Sequence, residues 1–259
     1  MRDRPASAKL RSLTSPASFS VTGTMRLLFD AVRAWRGNRK SFSSPARKAP
    51  GVETLSEYLS QLASEWPTPG GGSAATMVAA AGASLLAMVA RICSANPKYT
   101  AHHDLAIELV AQADALREEF LRARERDEAA FDRVVAATAM PKATDSEKHA
   151  RRAALELALA HAAAEPLAVA QNALEVLRLA QNALDLGNTN LVSDIGCAAE
   201  FAHAALAACA YNVRINHKFM RDTAAVEAQR HALERYEREA QAHLVAIRRA
   251  VAGALAPKT

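Results

Sequence analysis

The sequence predicts an all-α protein, a single-domain multi-helix bundle around a buried Ala/Gly-rich central helix. Three observations predict it. Half of the residues are hydrophobic while aromatics make up 5%, and the apolar half is mostly Ala and Leu, which favours helix over strand. From residue 53 onward, apolar residues recur at helical spacing. Between Trp66 and Arg91 there is no charge, only small and apolar residues with Pro, Gly, Ser and Thr, as suits a helix that neighbours approach closely.

Residues 1–50 stand apart in composition, with 11 Lys/Arg and 2 Asp/Glu, which leaves 21 basic and 25 acidic residues in 51–259. The net charge of +5 therefore belongs to the tail and not to the domain, and no nucleic-acid partner is expected. The tail, 1–50, is expected to be a basic Arg/Ser-rich disordered segment with a short amphipathic helix from Met25 to Trp35. A transit peptide or an over-extended start, with Met25 as the alternative, explains it equally well.

The helical domain occupies 51–259. Its first helix follows Glu53, with Leu55, Tyr58, Leu59 and Leu62 on one face, and stops before Pro67. Ala74 to Ile92 forms the central helix, expected to be buried on all sides. It meets the length test for a membrane span, but its small residues give it weak transfer energy, so no membrane is expected. A long amphipathic run then extends from Asn96-Pro97 to Met140 and ends at Pro141. Thr144-Asp-Ser-Glu147 is a capping box for the next helix, which Pro166 should kink or divide. Gly187-Asn188 is a C-terminal stop. Ser193-Asp194 should cap a helix through about Val213, and a last helix runs from about Asp222 to Leu255. Cys93, Cys197 and Cys209 lack metal or disulfide spacing and are expected as buried free thiols in a reducing cytoplasm.

Three segments hold residues that a plain bundle does not require. Gly70-Gly71-Gly72-Ser73 exposes backbone N–H groups at a positive helix end, suited to a carboxylate or carbonyl, although it also reads as a turn with Ser73 as N-cap. Gly187-Asn-Thr-Asn-Leu-Val-Ser-Asp-Ile-Gly196 and Asn212-Val-Arg-Ile-Asn216 carry polar groups that either a pterin-like ligand or an internal capping network would satisfy. Arg126-Asp127-Glu128-Ala-Ala-Phe131 with Pro141-Lys142 reads alone as a solvated face.

In order and spacing these segments resemble the cyclodeaminase/cyclohydrolase family: the cyclodeaminase half of formiminotransferase-cyclodeaminase and the stand-alone methenyltetrahydrofolate cyclohydrolases. The match covers roughly 53–250. The resemblance implies a dimeric helical enzyme without metal, needing no cofactor beyond its tetrahydrofolate substrate. It implies Asp194 and Asp127 as the acid/base and charge-stabilising carboxylates, with Lys142 as proton donor or folate-carboxylate contact. Asn188, Asn190, Ser193 and Asn212 would read the pterin edge, Arg214 would pair with a carboxylate, and the backbone of Gly70, Gly71, Gly72 and Ser73 would line the pocket. Because the chain shows no formiminotransferase half, the leading expectation is a cytoplasmic methenyltetrahydrofolate cyclohydrolase. Formimidoyltetrahydrofolate cyclodeaminase is the alternative, and a non-catalytic folate-binding protein the second alternative.

Overall fold

A computed structural model of the protein describes residues 53–257, and all of its regular elements are helical. The expectations for residues 1–50 lie outside the described residues. Thr54 opens α1 (Leu55–Leu62) with a capping box to Glu57. There follow α2 (Gly71–Ser94), α3 (His103–Thr138), α4 (Asp145–Ala183), α5 (Val192–His217) and α6 (Thr223–Leu255). A 3-10 turn at Pro97–His102 leads into α3, and a second at Leu184–Leu186 ends α4.

The packing is a ring: α2 lies against α3 and α5, α3 against α4, and α4 against α5, while α6 packs across α4 and α5. The core is Ala-rich, with Leu86, Leu109, Phe120, Leu174, Leu177, Leu206 and Leu244 among its fully buried large side chains. Each of these contributes roughly 1.5–3 kcal/mol. Between them, alanines and Gly82 set the helix spacing. A Cβ on Gly82 would stand 3.0 Å from the Ala198 carbonyl oxygen and 3.5 Å from the Phe201 Cβ, so α2 and α5 touch backbone to backbone there.

The Thr144–Glu147 capping box opens α4, Asp222 caps α6, and Gly187 closes the turn after α4 at φ 69°. Several expectations need correction. Pro166 does not divide α4, which is one helix of 39 residues. Proline removes the N–H that would bond the carbonyl four residues back. Here that carbonyl, Ala162 O, accepts the Asn216 side-chain amide instead, at 2.9 Å. Neither Ser193 nor Asp194 caps α5: the helix begins at Val192, its N-cap Leu191 has no side-chain hydrogen bond, and Asp194 lies in the first turn. Ser73 likewise is not an N-cap, since Gly70 holds that place and Ser73 lies inside α2.

Helix α2, expected as a central helix buried on all sides, is not so buried within one chain. Val78, Met88 and Ile92 are 39%, 37% and 43% exposed and, with half-buried Leu85, make a stripe along its outer face. Helices α2 and α4 are both long and apolar enough to cross a membrane by length and composition, and here each packs within the bundle. Cys93 and Cys209 are buried, whereas Cys197 is exposed.

Candidate active site

The polar residues of the bundle converge where α2 begins. Gly72 is the second residue of α2, and a side chain there would collide with the carboxylate of Asp127, which comes from the middle of α3. Only a glycine lets that carboxylate lie against the helix backbone. The Ser73 backbone N–H bonds to it. The anion expected at the Gly70–Ser73 helix end is thus supplied by the protein's own Asp127, where the unpaired N–H groups and the helix dipole favour negative charge.

The environment is nevertheless unfavourable to that charge. Burial, the adjacent Glu128 carboxylate and, more weakly, Glu165 raise the pKa of Asp127 from 3.8 to about 6, against the pull of the Ser73 N–H. Asp127 therefore exchanges its proton near neutrality, as a general acid/base requires. The Cys209 thiol, pushed up to about 12 by burial and by the Asp127 charge, stays neutral beside it.

A second set of residues fixes the glycine turn. Buried Ser73 donates through Oγ to Glu128 at 2.9 Å and shares a 2.9 Å hydrogen bond with the Tyr58 hydroxyl of α1. The Arg124 guanidinium stacks on the Tyr58 ring, 4.9 Å from its centroid, and pairs with Glu53 at 3.0 Å. Glu128 is thereby tied into a network, which leaves Asp127 as the carboxylate with a poised proton. From the other side, the Asn212 amide of α5 lies 3.6 Å from where a Cβ on Gly71 would stand while donating to Ala208 O. Glu165 of α4 completes the ring of helices, held by Arg126 Nε at 2.9 Å.

The structure thus brings together Gly70, Gly71, Gly72, Ser73, Asp127 and Asn212. Lys142 is exposed in the α3–α4 connection, beyond the end of α3. Arg214 points to α6 and pairs with Glu237 at 2.6 Å, so its carboxylate partner within the chain is a side chain of the bundle. The Gly187–Gly196 segment lies at the far end of α2. There the Asn188 amide reaches the Cys93 sulfur at 3.6 Å and accepts the Asn190 N–H at 3.2 Å, which is the capping reading of these residues. Cys93 is 21 residues beyond Gly72, so Asn188 stands about 30 Å from the glycine turn at 1.5 Å per residue. Asn190 and Ser193 are exposed and Asp194 is half-buried at that distal end. Three participants escaped the sequence reading, Glu165, Tyr58 and Arg124. Each belongs to an ordinary amphipathic pattern, and only tertiary packing sets it beside the motif residues.

With that geometry described, comparison with known proteins places the chain. The family model for formiminotransferase-cyclodeaminase matches residues 54–235. The methenyltetrahydrofolate cyclohydrolase of Methylorubrum extorquens is 38% identical over 184 residues, covering 71% of this chain and 88% of that protein. The formimidoyltransferase-cyclodeaminase of Rattus norvegicus is 27% identical over 188 residues, which is 73% of this chain but 35% of the rat protein. Among solved structures, the formiminotetrahydrofolate cyclodeaminase of Thermotoga maritima matches with a TM-score of 0.71 and 26% identity, over 78% of this chain and 97% of that one.

Proposed function

The chain belongs to the formiminotransferase-cyclodeaminase family, and from that premise we propose that it is a methenyltetrahydrofolate cyclohydrolase converting 5,10-methenyltetrahydrofolate to 10-formyltetrahydrofolate. The observation that carries this reading is the half-buried Asp127 carboxylate against Gly72, with its proton poised near neutrality. The methenyl carbon lies between two nitrogens that share a positive charge. Asp127 in its ionised form stabilises that charge and takes a proton from the attacking water. The tetrahedral carbon then collapses with cleavage of its bond to N5, and the proton held by Asp127 is available to the departing nitrogen. A C–O bond forms, the C–N5 bond breaks, the hydroxyl proton leaves to solvent as the carbonyl forms, and no oxidation state changes, so in this reading the reaction calls for no cofactor beyond the folate itself.

The alternative, cyclodeamination of 5-formiminotetrahydrofolate with loss of ammonia, passes through the same kind of tetrahedral carbon. The near-complete coverage of the Thermotoga maritima cyclodeaminase chain favours it, because that chain is of similar extent to this domain. The higher identity to the Methylorubrum extorquens cyclohydrolase favours hydrolysis.

The working unit in this reading is a cytoplasmic homodimer, with α2 as its central helix. Helix α5, which packs against α2, also exposes Phe201, Tyr211 and Ile215, at 39%, 73% and 46%. A second copy covering this two-helix face restores the burial that an uncharged helix calls for. An antiparallel two-fold pairing also carries the partner's Gly187–Gly196 turn toward the glycine turn of the first subunit. In that arrangement Asp194, Asn190 and Ser193 serve the Asp127 pocket.

The test follows the absorbance of 5,10-methenyltetrahydrofolate in one cuvette and its appearance from 5-formiminotetrahydrofolate in another. Decay that Asp127→Asn loses is the expected result. Appearance alone moves the assignment to cyclodeaminase, and silence in both leaves a folate-binding protein without turnover.

A further inference from the structure

Helices α3 and α4 run on past the Asp127 cluster as an antiparallel hairpin. From Asp127 to Thr138 is about 16 Å of helix, whereas α2 starts at Gly71 and α5 ends at His217, close to the cluster. Between the two arms of this hairpin lies a cavity of about 640 Å³, in the range of small-molecule sites. Glu165 lines its inner end, where it also faces Asp127, and Met140 lines its outer end, just before Pro141-Lys142. The walls between are alanines and Leu157, with His161 and Arg133 as the polar groups.

Arg133 distinguishes this slot from a packing gap. It stands seven residues beyond Arg126, hence on the same face of α3. Arg126 is engaged by Glu165 and Glu119, but Arg133 makes no ion pair or hydrogen bond among the described residues. A mostly apolar slot with an unengaged guanidinium suits a flat aromatic group bearing a carboxylate. We propose that the slot holds the aminobenzoyl-glutamate arm of the folate, with Arg133 binding a glutamate carboxylate. The proposal rests on the folate reading above and extends it. It places the reacting bicycle at Asp127 and the arm along the hairpin. Arg133 lies six residues beyond Asp127, about 9 Å along the axis, and the benzoyl ring and its amide bridge a gap of that order. Lys142 then stands at the outer mouth, where a carboxylate leaving the slot would meet it.

The experiment compares initial rates on 5,10-methenyltetrahydrofolate and on its glutamate-free counterpart, 5,10-methenyltetrahydropteroate. The full chain, Arg133→Met and Arg133→Lys are each assayed. The unaltered protein should prefer the glutamate-bearing substrate in kcat/KM. In Arg133→Met that preference should shrink about tenfold or more, the loss falling on KM, and Arg133→Lys should recover part of it. Leu157→Trp, which fills the slot, should raise KM for both substrates. A preference as large in Arg133→Met as in the unaltered protein overturns the proposal while leaving the cyclohydrolase reading intact. An unaltered protein that turns over neither substrate overturns that reading and the proposal together.

Discussion

At the scale of the residue, Asp127 sets both the chemistry and a stability cost. Its pKa rises on folding from 3.8 to about 6, so the native state prefers the protonated carboxyl. The stability linked to it is complete below about pH 4 and is lost as the pH climbs through 6. At pH 7.5 the fold then holds an ionised, desolvated group at a cost on the order of 3 kcal/mol. Asp127→Asn should remove turnover and raise Tm at pH 7.5, with the gain shrinking toward pH 4. If the variant melted lower at pH 7.5, the Ser73 N–H bond would outweigh burial and the pKa argument would fail. The same group predicts an acid limb near pH 6 in kcat/KM, because the ionised form is the reactive one. Glu128→Gln should displace that limb to lower pH by removing the neighbouring charge; an unmoved limb would mean that another group titrates.

The glycines beside Asp127 separate two roles at one turn. A Cβ at 71 would stand 3.6 Å from the Asn212 amide, an ordinary contact, whereas one at 72 would strike the Asp127 carboxylate. Gly71→Ala should therefore fold as well as the parent or better by up to about 1 kcal/mol, because alanine is the better helix former. Gly72→Ala should expel the carboxylate and lose most of the turnover. Equal activity in the two variants would show that Asp127 is not held where the chemistry occurs.

At the scale of the element, α4 shows how a local rule is overridden at a distance. Pro166 lies inside a long helix, and Asn216, 50 residues later on α5, bonds the carbonyl that proline leaves open. Asn216→Ala should cost about 1–2 kcal/mol of unfolding free energy, since a half-buried acceptor loses its partner. In a Pro166→Ala background, where a backbone N–H returns, the cost should fall; additive effects of the two changes would refute the repair. The sequence displays both residues but not their relation, so the division it allows does not occur. The Thr144–Glu147 box and the Gly187 stop were legible because their hydrogen bonds close within one turn. Asp127 and Gly72 were legible through their motifs. Arg133 and Glu165 were not, because an Arg or Glu on an amphipathic helix looks solvated until a second helix arrives opposite it. The Ser193-Asp194 cap misled for a related reason, as good capping residues just inside a helix look the same as ones just outside.

At the scale of the whole molecule, the two motif groups lie at opposite ends of α2, and within one chain Asp194 remains about 30 Å from Asp127. The apolar stripe that joins these ends includes Val78, Leu85, Met88 and Ile92, on a helix with no charge before Arg91. Val78 and Leu85 flank Gly82, where α5 lies close, so in the proposed dimer α2 and α5 would present one face. Met88→Lys should convert a dimer to a folded monomer in sedimentation, at unchanged helix content by circular dichroism. A dimeric variant would mean that another surface mediates association. If antiparallel pairing then delivers Asp194 to the partner's Asp127, neither Asp127→Asn nor Asp194→Asn should turn over alone. Unfolding and refolding them as an equal mixture should restore about a quarter of the parental rate, since half of the dimers are mixed and each of those rebuilds one intact site of two. Full activity in Asp194→Asn would remove Asp194 from the reaction. Two inactive variants with no recovery on mixing would mean that the two carboxylates are not shared across subunits.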